Sequence, residues 1–139
     1  LGEAAELIDR FLNSPRAKEM AAAGALHREL EFMLAWPPEG KQGGRRYLQG
    51  YIDALYCDAA GGWRVVDYKT NRVTADQVAA KAADYELQML VYALAVEQIL
   101  RSPPVELVLC FLQPGVEHRF AWDTAARRRV LELVERAMR

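Results

Sequence analysis

Residues 63–70 have the sequence WRVVDYKT, in which an apolar run ends in an acid, an aromatic residue and a base. Asp67 and Lys69 lie two positions apart, so both side chains point to the same face of a strand. Ionised groups on a sheet face meant for burial are costly unless they are paired or bind a metal ion. The stretch therefore predicts either a salt bridge or a strand end that carries chemistry.

The preceding strand, predicted over residues 47–57, supplies a second acid. A short, polar, glycine-ended linker joins the two strands, which favours an antiparallel hairpin. Pairing of Cys57 with Trp63 across that linker places Asp53 opposite Asp67. A shift of two residues keeps both carboxylates on one face, whereas a shift of one separates them.

Two opposed carboxylates repel each other unless a cation lies between them. Mg²⁺ is commonly held by one or two carboxylates together with phosphate oxygens, so the pair predicts a site for a hard divalent cation. Lys69, on the same face, is suited to hold an attacking water or to stabilise negative charge on a phosphate. A cross-strand salt bridge between Lys69 and an aspartate is the alternative that the residues alone leave open.

The rest of the chain shows the periodicities of helices and strands. Helices are predicted over residues 3–13, after the N-cap Ser14, over 74–101 and after the N-cap Asp123; strands are predicted over 26–36, 105–112 and 118–122, with a polar loop at 37–44. This order predicts an α+β domain with an α/β-type core, in which helices flank a central mixed β-sheet.

Composition limits the classes of protein to which the chain can belong. Its 139 residues suit one domain, and 52% hydrophobic with 27% charged residues is the balance of a globular protein. No membrane span or signal peptide is visible, and two distant cysteines favour a reducing compartment, so we expect a cytoplasmic protein. The net charge of −1 gives no support to nucleic-acid binding. Because the chain begins on Leu1 within a helical pattern, we expect a piece of a longer protein.

Three motifs together resemble one nuclease family. They are Gly50-Tyr51-Ile52-Asp53, the stretch at 63–70, and Gln88 followed by Tyr92 on the predicted helix. In this order and spacing they resemble the RecB/AddA-type nuclease domain of the PD-(D/E)XK superfamily, the C-terminal part of helicase–nucleases. Residues 28–32 are also similar to the family's Arg-Glu-x-Pro-Phe strand, with Glu31 in the place of proline.

The resemblance implies a role for each residue that matches a motif. The metal ligands would be Asp53, Asp67 and the backbone carbonyl of Tyr68, and Lys69 would be the catalytic lysine. The two remaining motif residues, Gln88 and Tyr92, lie one helical turn apart and would stand near the site, in contact with DNA or with the ligands. A polar edge of an amphipathic helix is the other interpretation of these two. Glu29 would support the site or simply edge the sheet.

For the whole chain, the resemblance implies a restriction-endonuclease-like αβββαβ core, with residues 1–139 as a single nuclease domain cut from a longer helicase–nuclease. The expected activity is Mg²⁺-dependent hydrolysis of DNA phosphodiesters in exonuclease-type end processing during DNA repair, with Mn²⁺ as a substitute cofactor. The expected partners are DNA, a helicase domain of the same parent chain and a second helicase–nuclease subunit. No membrane partner is expected.

One departure from the family pattern concerns histidine. The family has a further metal-ligating histidine on an upstream helix, but here His27 falls on a predicted strand and His118 near the trailing one. Both are expected to be ordinary surface or edge residues. A non-catalytic DNA-binding or interaction module that keeps the fold is therefore the alternative function.

Overall fold

Five strands form one mixed sheet in the computed structural model, which describes residues 2–38 and 46–138. The strands are β1 (Ala25–Trp36), β2 (Arg46–Cys57), β3 (Trp63–Lys69), β4 (Glu106–Phe111) and β5 (Val116–Phe120). They lie in the order β1-β2-β3-β4-β5, with β3 and β4 parallel and every other pair antiparallel. The predicted mixed sheet is confirmed, while most of the predicted loop at 37–44 lies outside the described residues.

Helices precede, interrupt and follow the sheet. They are α1 (Glu3–Leu12), α2 (Pro15–Ala21), α3 (Val78–Ala83), α4 (Glu86–Leu100) and α5 (Thr124–Ala137), with a 3₁₀ turn at Ala75–Gln77 before α3. The Ser14 and Asp123 side chains accept hydrogen bonds from backbone N–H groups in the first turns of α2 and α5, as their predicted N-cap roles require. Because β3 and β4 run parallel, α3 and α4 form the crossover between them.

The apolar side chains of residues 2–38 and 46–138 form two clusters. The larger one packs α4 and α5 with parts of all five strands, and the smaller one joins Met20 of α2 to Ala54, Tyr56, Val66, Val108 and Cys110. Strand β4 contributes to both clusters, which confirms the prediction of a strand covered on both faces.

The predicted helix over 74–101 is wrong in one respect, because it breaks between α3 and α4. The backbone N–H groups of Asp84 and Tyr85 bond to carbonyls three residues earlier, at 3.1 Å and 2.9 Å, which tightens the last turn. Tyr85 then has φ −107° and ψ 3°, outside the helical range. Its hydroxyl bonds to Asn71 in the loop after β3, so a tertiary contact accompanies the break.

A second irregularity lies where β1 and β2 pass Glu29 and Asp53. Both neighbouring residue pairs are in register, but Glu29 and Asp53 are left out of the ladder, and Glu29 has a φ of 51°. Leu26 packs in the smaller cluster whereas Leu30 packs in the larger one, although the two residues have the same parity. The left-handed conformation of Glu29 thus rotates the strand next to Asp53. Side chains of the same parity point to one face of the sheet before this residue and to the other face after it.

Candidate active site

Asp67 is the one buried acidic side chain among the described residues, with 3% of its surface exposed. It lies near the end of β3, beside Leu109 of β4. Burial raises the pKa of this carboxyl to about 6; the ammonium of Lys69 counteracts the rise, and the charge of Asp53 adds to it. The fold therefore holds an acid where its ionised form is disfavoured.

Asp53 approaches Asp67 from β2, as the predicted hairpin register requires. Cys57 pairs with Trp63, and the ladder between the two strands runs as far as Ala54 and Val66, the chain neighbours of Asp53 and Asp67. Asp53 Oδ2 then accepts a hydrogen bond from the backbone N–H of Tyr68 at 2.9 Å, which fixes the carboxylate against β3. The two aspartates are thus neighbours whose charges repel each other.

Three side chains contact the ammonium of Lys69 within the described part of the chain. Nζ lies 2.8 Å from Asp67 Oδ2 and donates a hydrogen bond to Gln88 Oε1 at 3.2 Å. The ring of Tyr85 lies beneath it, with Nζ 4.0 Å from the ring centroid. Only 15% of the lysine side chain is exposed. These contacts hold a long, flexible side chain at one place beside the acids.

The helix residues Gln88 and Tyr92 both face this group. Gln88 contacts Lys69 directly. Tyr92 is buried, and its ring packs edge-on against Phe32 with centroids 5.6 Å apart. Burial and the charges of Asp67 and Asp53 raise the pKa of Tyr92 to about 12, so the phenol keeps its proton at neutral pH and remains a hydrogen-bond donor.

The donor set suits a hard divalent cation. Asp67 Oδ2 is buried, and its contact with Lys69 lacks hydrogen-bond geometry, so this oxygen has no hydrogen-bond partner among the described residues. Asp53 brings a second carboxylate. No cluster of three or more His, Cys, Asp or Glu side chains suited to a metal occurs in the described part of the chain. Two carboxylates are nevertheless enough where backbone, water or phosphate oxygens complete the coordination of Mg²⁺.

The remaining candidates lie apart from the acids or at their margin. Glu29 is exposed, on the strand beside Asp53, at the residue where the faces of β1 exchange. His27 stacks on Trp63 with centroids 6.1 Å apart, and His118 packs against Phe120. These contacts are those of edge residues.

Two residues of the site, Tyr85 and Asn71, are not predicted by the sequence patterns. Tyr85 precedes Gln88 by three residues, a spacing that places two side chains on one helical face. That signal is hidden because the two residues lie on opposite sides of the break between α3 and α4. Asn71 lies in the loop after β3, where the sequence shows no periodicity.

Comparison with known proteins assigns the chain to a family. The family model for the PD-(D/E)XK nuclease superfamily matches residues 2–139. The chain belongs to this superfamily. Members of the superfamily generally use divalent metal ions, and the paired aspartates and the lysine of this chain are arranged in a way that suits such an ion.

Curated relatives are described as subunits of an ATP-dependent helicase/nuclease, which confirms the resemblance to the RecB/AddA type. The chain is 35% identical to the protein of Geobacillus kaustophilus over 132 residues, covering 81% of this chain and 10% of the relative. It is 36% identical to that of Acetivibrio thermocellus over 101 residues, covering 66% of this chain and 8% of the relative. The chain thus spans about a tenth of the length of these relatives.

The crystal structure of SSO0001 has a similar fold, with a TM-score of 0.56 at 16% identity, over 98% of this chain and 66% of that one. At this identity the likeness concerns the fold alone. Within residues 2–38 and 46–138, no helix combines the length and apolar character needed to cross a membrane.

Proposed function

We propose that this chain is the nuclease module of a RecB/AddA-like helicase–nuclease that hydrolyses DNA phosphodiesters during the processing of DNA ends. The observation that carries the proposal is the group formed by Asp53, Asp67 and Lys69, which joins two adjacent carboxylates to a confined ammonium. The superfamily match and the helicase/nuclease relatives support it.

In this proposal Asp53 and Asp67 hold Mg²⁺, or Mn²⁺ in its place, with the backbone carbonyl of Tyr68 as a third ligand. A bound cation of this kind supplies Lewis acidity at the scissile phosphate. Asp67 must be ionised to bind it, so binding strengthens as pH rises past the raised pKa of about 6.

The other side chains act on the phosphate or on one another. The ammonium of Lys69 donates hydrogen bonds to the attacking water or to the charge that develops on the phosphate. Gln88 accepts a hydrogen bond from Lys69 and so limits the positions of the ammonium. Tyr92, protonated at neutral pH, donates to a phosphate or to a ligand, and Glu29 supports the site from the edge of the sheet.

The partners of the module are DNA and the other parts of a helicase–nuclease. DNA is the substrate, the helicase domain of the same parent chain supplies the strand, and a second helicase–nuclease subunit completes the assembly. Residues 1–139 form one nuclease domain of that longer protein. A cytoplasmic location agrees with the two free cysteines, Cys57 and Cys110.

The test is cleavage of linear DNA by the complete polypeptide that contains this sequence. We expect cleavage that requires Mg²⁺ or Mn²⁺ and falls by at least about 10³-fold in Asp67→Asn and in Lys69→Ala, as losses of groups at the reacting centre do. Asp84→Asn is the matched control, because Asp84 is an exposed acid whose ion pair is with Lys81. Cleavage that persists in EDTA, or in both site variants, would contradict the proposal.

A second candidate is a non-catalytic DNA-binding module that keeps the nuclease fold. It is favoured by the lack of a third acidic or histidine ligand among the described residues and by the net charge of −1. DNA binding by the complete polypeptide that is unaltered by Asp53→Asn, together with an absence of cleavage under any metal condition, would favour this candidate over the nuclease.

A further inference from the structure

The aromatic ring of Tyr85 forms one wall of the space that the ammonium of Lys69 occupies. Nζ lies 4.0 Å from the centroid of the ring, well inside the range of about 6 Å over which a cation is attracted to an aromatic face. The lysine is mostly buried, so water screens this attraction less than it would on an open surface.

The ring itself is fixed at its far end. Asn71 Nδ2 donates to the hydroxyl of Tyr85 at 3.1 Å, and the hydroxyl donates to Asn71 Oδ1 at 3.3 Å. Asn71 lies just after β3, while Tyr85 lies at the break between α3 and α4. The amide therefore ties the crossover to the strand end that carries Asp67 and Lys69.

The three neighbours of the ammonium are of different kinds. Asp67 is a carboxylate, Gln88 offers a neutral carbonyl, and Tyr85 offers a ring face. Asp67 would share its charge between Lys69 and a divalent cation held at this site, and the positive charges of the two would repel each other. Gln88 and Tyr85 are then the partners that retain Lys69 beside the reacting phosphate.

We propose that Tyr85, held by Asn71, is a positioning residue that keeps the ammonium of Lys69 in the active site independently of its contact with Asp67. The expected effect of Tyr85 on cleavage rests on the proposed function. The contact between its ring and the ammonium of Lys69 does not depend on that function. The predicted helix breaks at Tyr85, the residue whose side chain contacts both Asn71 and Lys69.

The structural part is tested by NMR of the full 139-residue chain with ¹³C-labelled lysine. Protons above an aromatic face are shielded, so the ε-methylene signal of Lys69 is expected upfield of those of the other lysines. Lys69→Arg assigns the signal. The upfield shift should be reduced in Tyr85→Phe, which keeps the ring but loses its bonds to Asn71, and vanish in Tyr85→Leu, which keeps apolar bulk. A Lys69 signal without the shift in the unaltered chain, or with the same shift in Tyr85→Leu, would overturn the proposal.

The catalytic part is tested by cleavage kinetics of the complete polypeptide. We expect Tyr85→Leu to lower kcat by about 10- to 100-fold with little change in KM, as misplacement of a catalytic group does. Tyr85→Phe should recover part of that loss, because the ring remains but its bonds to Asn71 are gone. In a Lys69→Ala background Tyr85→Leu should have no further effect, because the two residues act as one unit. Equal losses in both backgrounds would overturn the positioning role.

The two tests separate this proposal from the proposed function. An upfield Lys69 signal in a protein that cleaves no DNA would support the contact between Lys69 and the Tyr85 ring and contradict the nuclease function. Cleavage with an unchanged kcat in Tyr85→Leu would agree with the nuclease function and contradict the positioning role of Tyr85.

If Tyr85→Leu does not fold, Tyr85→Phe and Asn71→Ala keep the proposal testable. Asn71→Ala is expected to reduce the shift of Lys69, because the ring loses its anchor, and an unchanged shift would reject the role of Asn71.

Discussion

Among single residues, Asp67 is the most buried of the described acids, and its burial makes the ionised form of the carboxyl unfavourable. Its pKa is raised from 3.8 to about 6, by burial first and by Asp53 as a neighbour. Below about pH 4 the carboxyl is protonated in both folded and unfolded chains and causes no loss of stability. As pH rises from there to about 6, the unfolded chain releases its proton first, so the free energy of unfolding falls.

We therefore expect Asp67→Asn to stabilise the metal-free protein while it abolishes cleavage. The gain should be on the order of 1–3 kcal/mol at pH 7, because a shift of one pKa unit corresponds to about 1.4 kcal/mol. It should shrink to nothing as pH falls towards about 4. Thermal unfolding in EDTA at several pH values measures it. A gain that is the same at pH 4 and pH 7 would show that the charge of Asp67 is not its cause.

Gly50, the first residue of the Gly-x-x-Asp motif, has a steric role. A Cβ at this position would lie 2.9 Å from two ring atoms of Phe32, and Phe32 packs edge-on against Tyr92. Gly50→Ala should push Phe32 aside, lower stability by about 1–3 kcal/mol as overpacking does, and disturb Tyr92. Gly24→Ala is the control, because a Cβ there meets nothing within 4 Å. Equal denaturation midpoints for the two variants would contradict a steric role for Gly50.

At the scale of secondary-structure elements, a charge network docks α2 against the sheet. Arg16 of α2 reaches Glu106 at the start of β4, and Arg64 of β3 and Arg119 of β5 bind the same carboxylate. Burial alone would raise the pKa of Glu106, but hydrogen bonds from the three arginines outweigh it and lower the pKa to about 2. The network thus connects three strands to a helix of only seven residues.

Glu106→Gln should lower the free energy of unfolding by about 2–4 kcal/mol at pH 7, because it leaves the arginines without their shared carboxylate. Since the pKa of Glu106 is lowered from 4.5, its contribution is complete above about pH 4.5 and is lost as pH falls towards 2. Urea unfolding at pH 7 and pH 2.5 tests this. Asp84→Asn, which breaks an exposed ion pair, should change stability by less than about 0.5 kcal/mol. Similar losses in the two variants at pH 7 would argue against a docking role.

Local patterns in the sequence were sufficient to predict most elements and the proximity of Asp53, Asp67 and Lys69. Alternation predicted the strands, the caps Ser14 and Asp123 predicted helix starts, and the short linker fixed the hairpin register that brings Asp53 to Asp67. Each of these signals acts over a few residues, so it can be recognised without knowledge of the tertiary structure.

The features that the sequence could not supply depend on contacts between distant elements. The break before α4 comes with the bond between Tyr85 and Asn71, and the exchange of faces in β1 comes from a left-handed Glu29, a residue type that rarely adopts this conformation. Lys69 gains its confinement from Gln88 and Tyr85, both contributed by the crossover. Periodicity carries no information on such contacts.

At the scale of the whole molecule, the sheet brings the candidate site together from three places in the chain. The hairpin of β2 and β3 supplies the acids and the lysine, the loop after β3 supplies Asn71, and the parallel crossover returns Tyr85, Gln88 and Tyr92 to the same strand end. This explains how motifs spread over residues 50–92 converge at one strand end. The convergence follows from the topology and not from the net charge of the whole chain, which is −1.

The central claim is that Asp53 and Asp67 together form the metal site, and titration of Mn²⁺ into the metal-free chain tests it most directly. Free Mn²⁺ is followed by electron paramagnetic resonance. We expect one site per chain, weakened at least about tenfold by Asp53→Asn and by Asp67→Asn and unchanged by Asp84→Asn. Equal Mn²⁺ affinity in all four proteins, or no saturable binding in the unaltered chain, would contradict the claim.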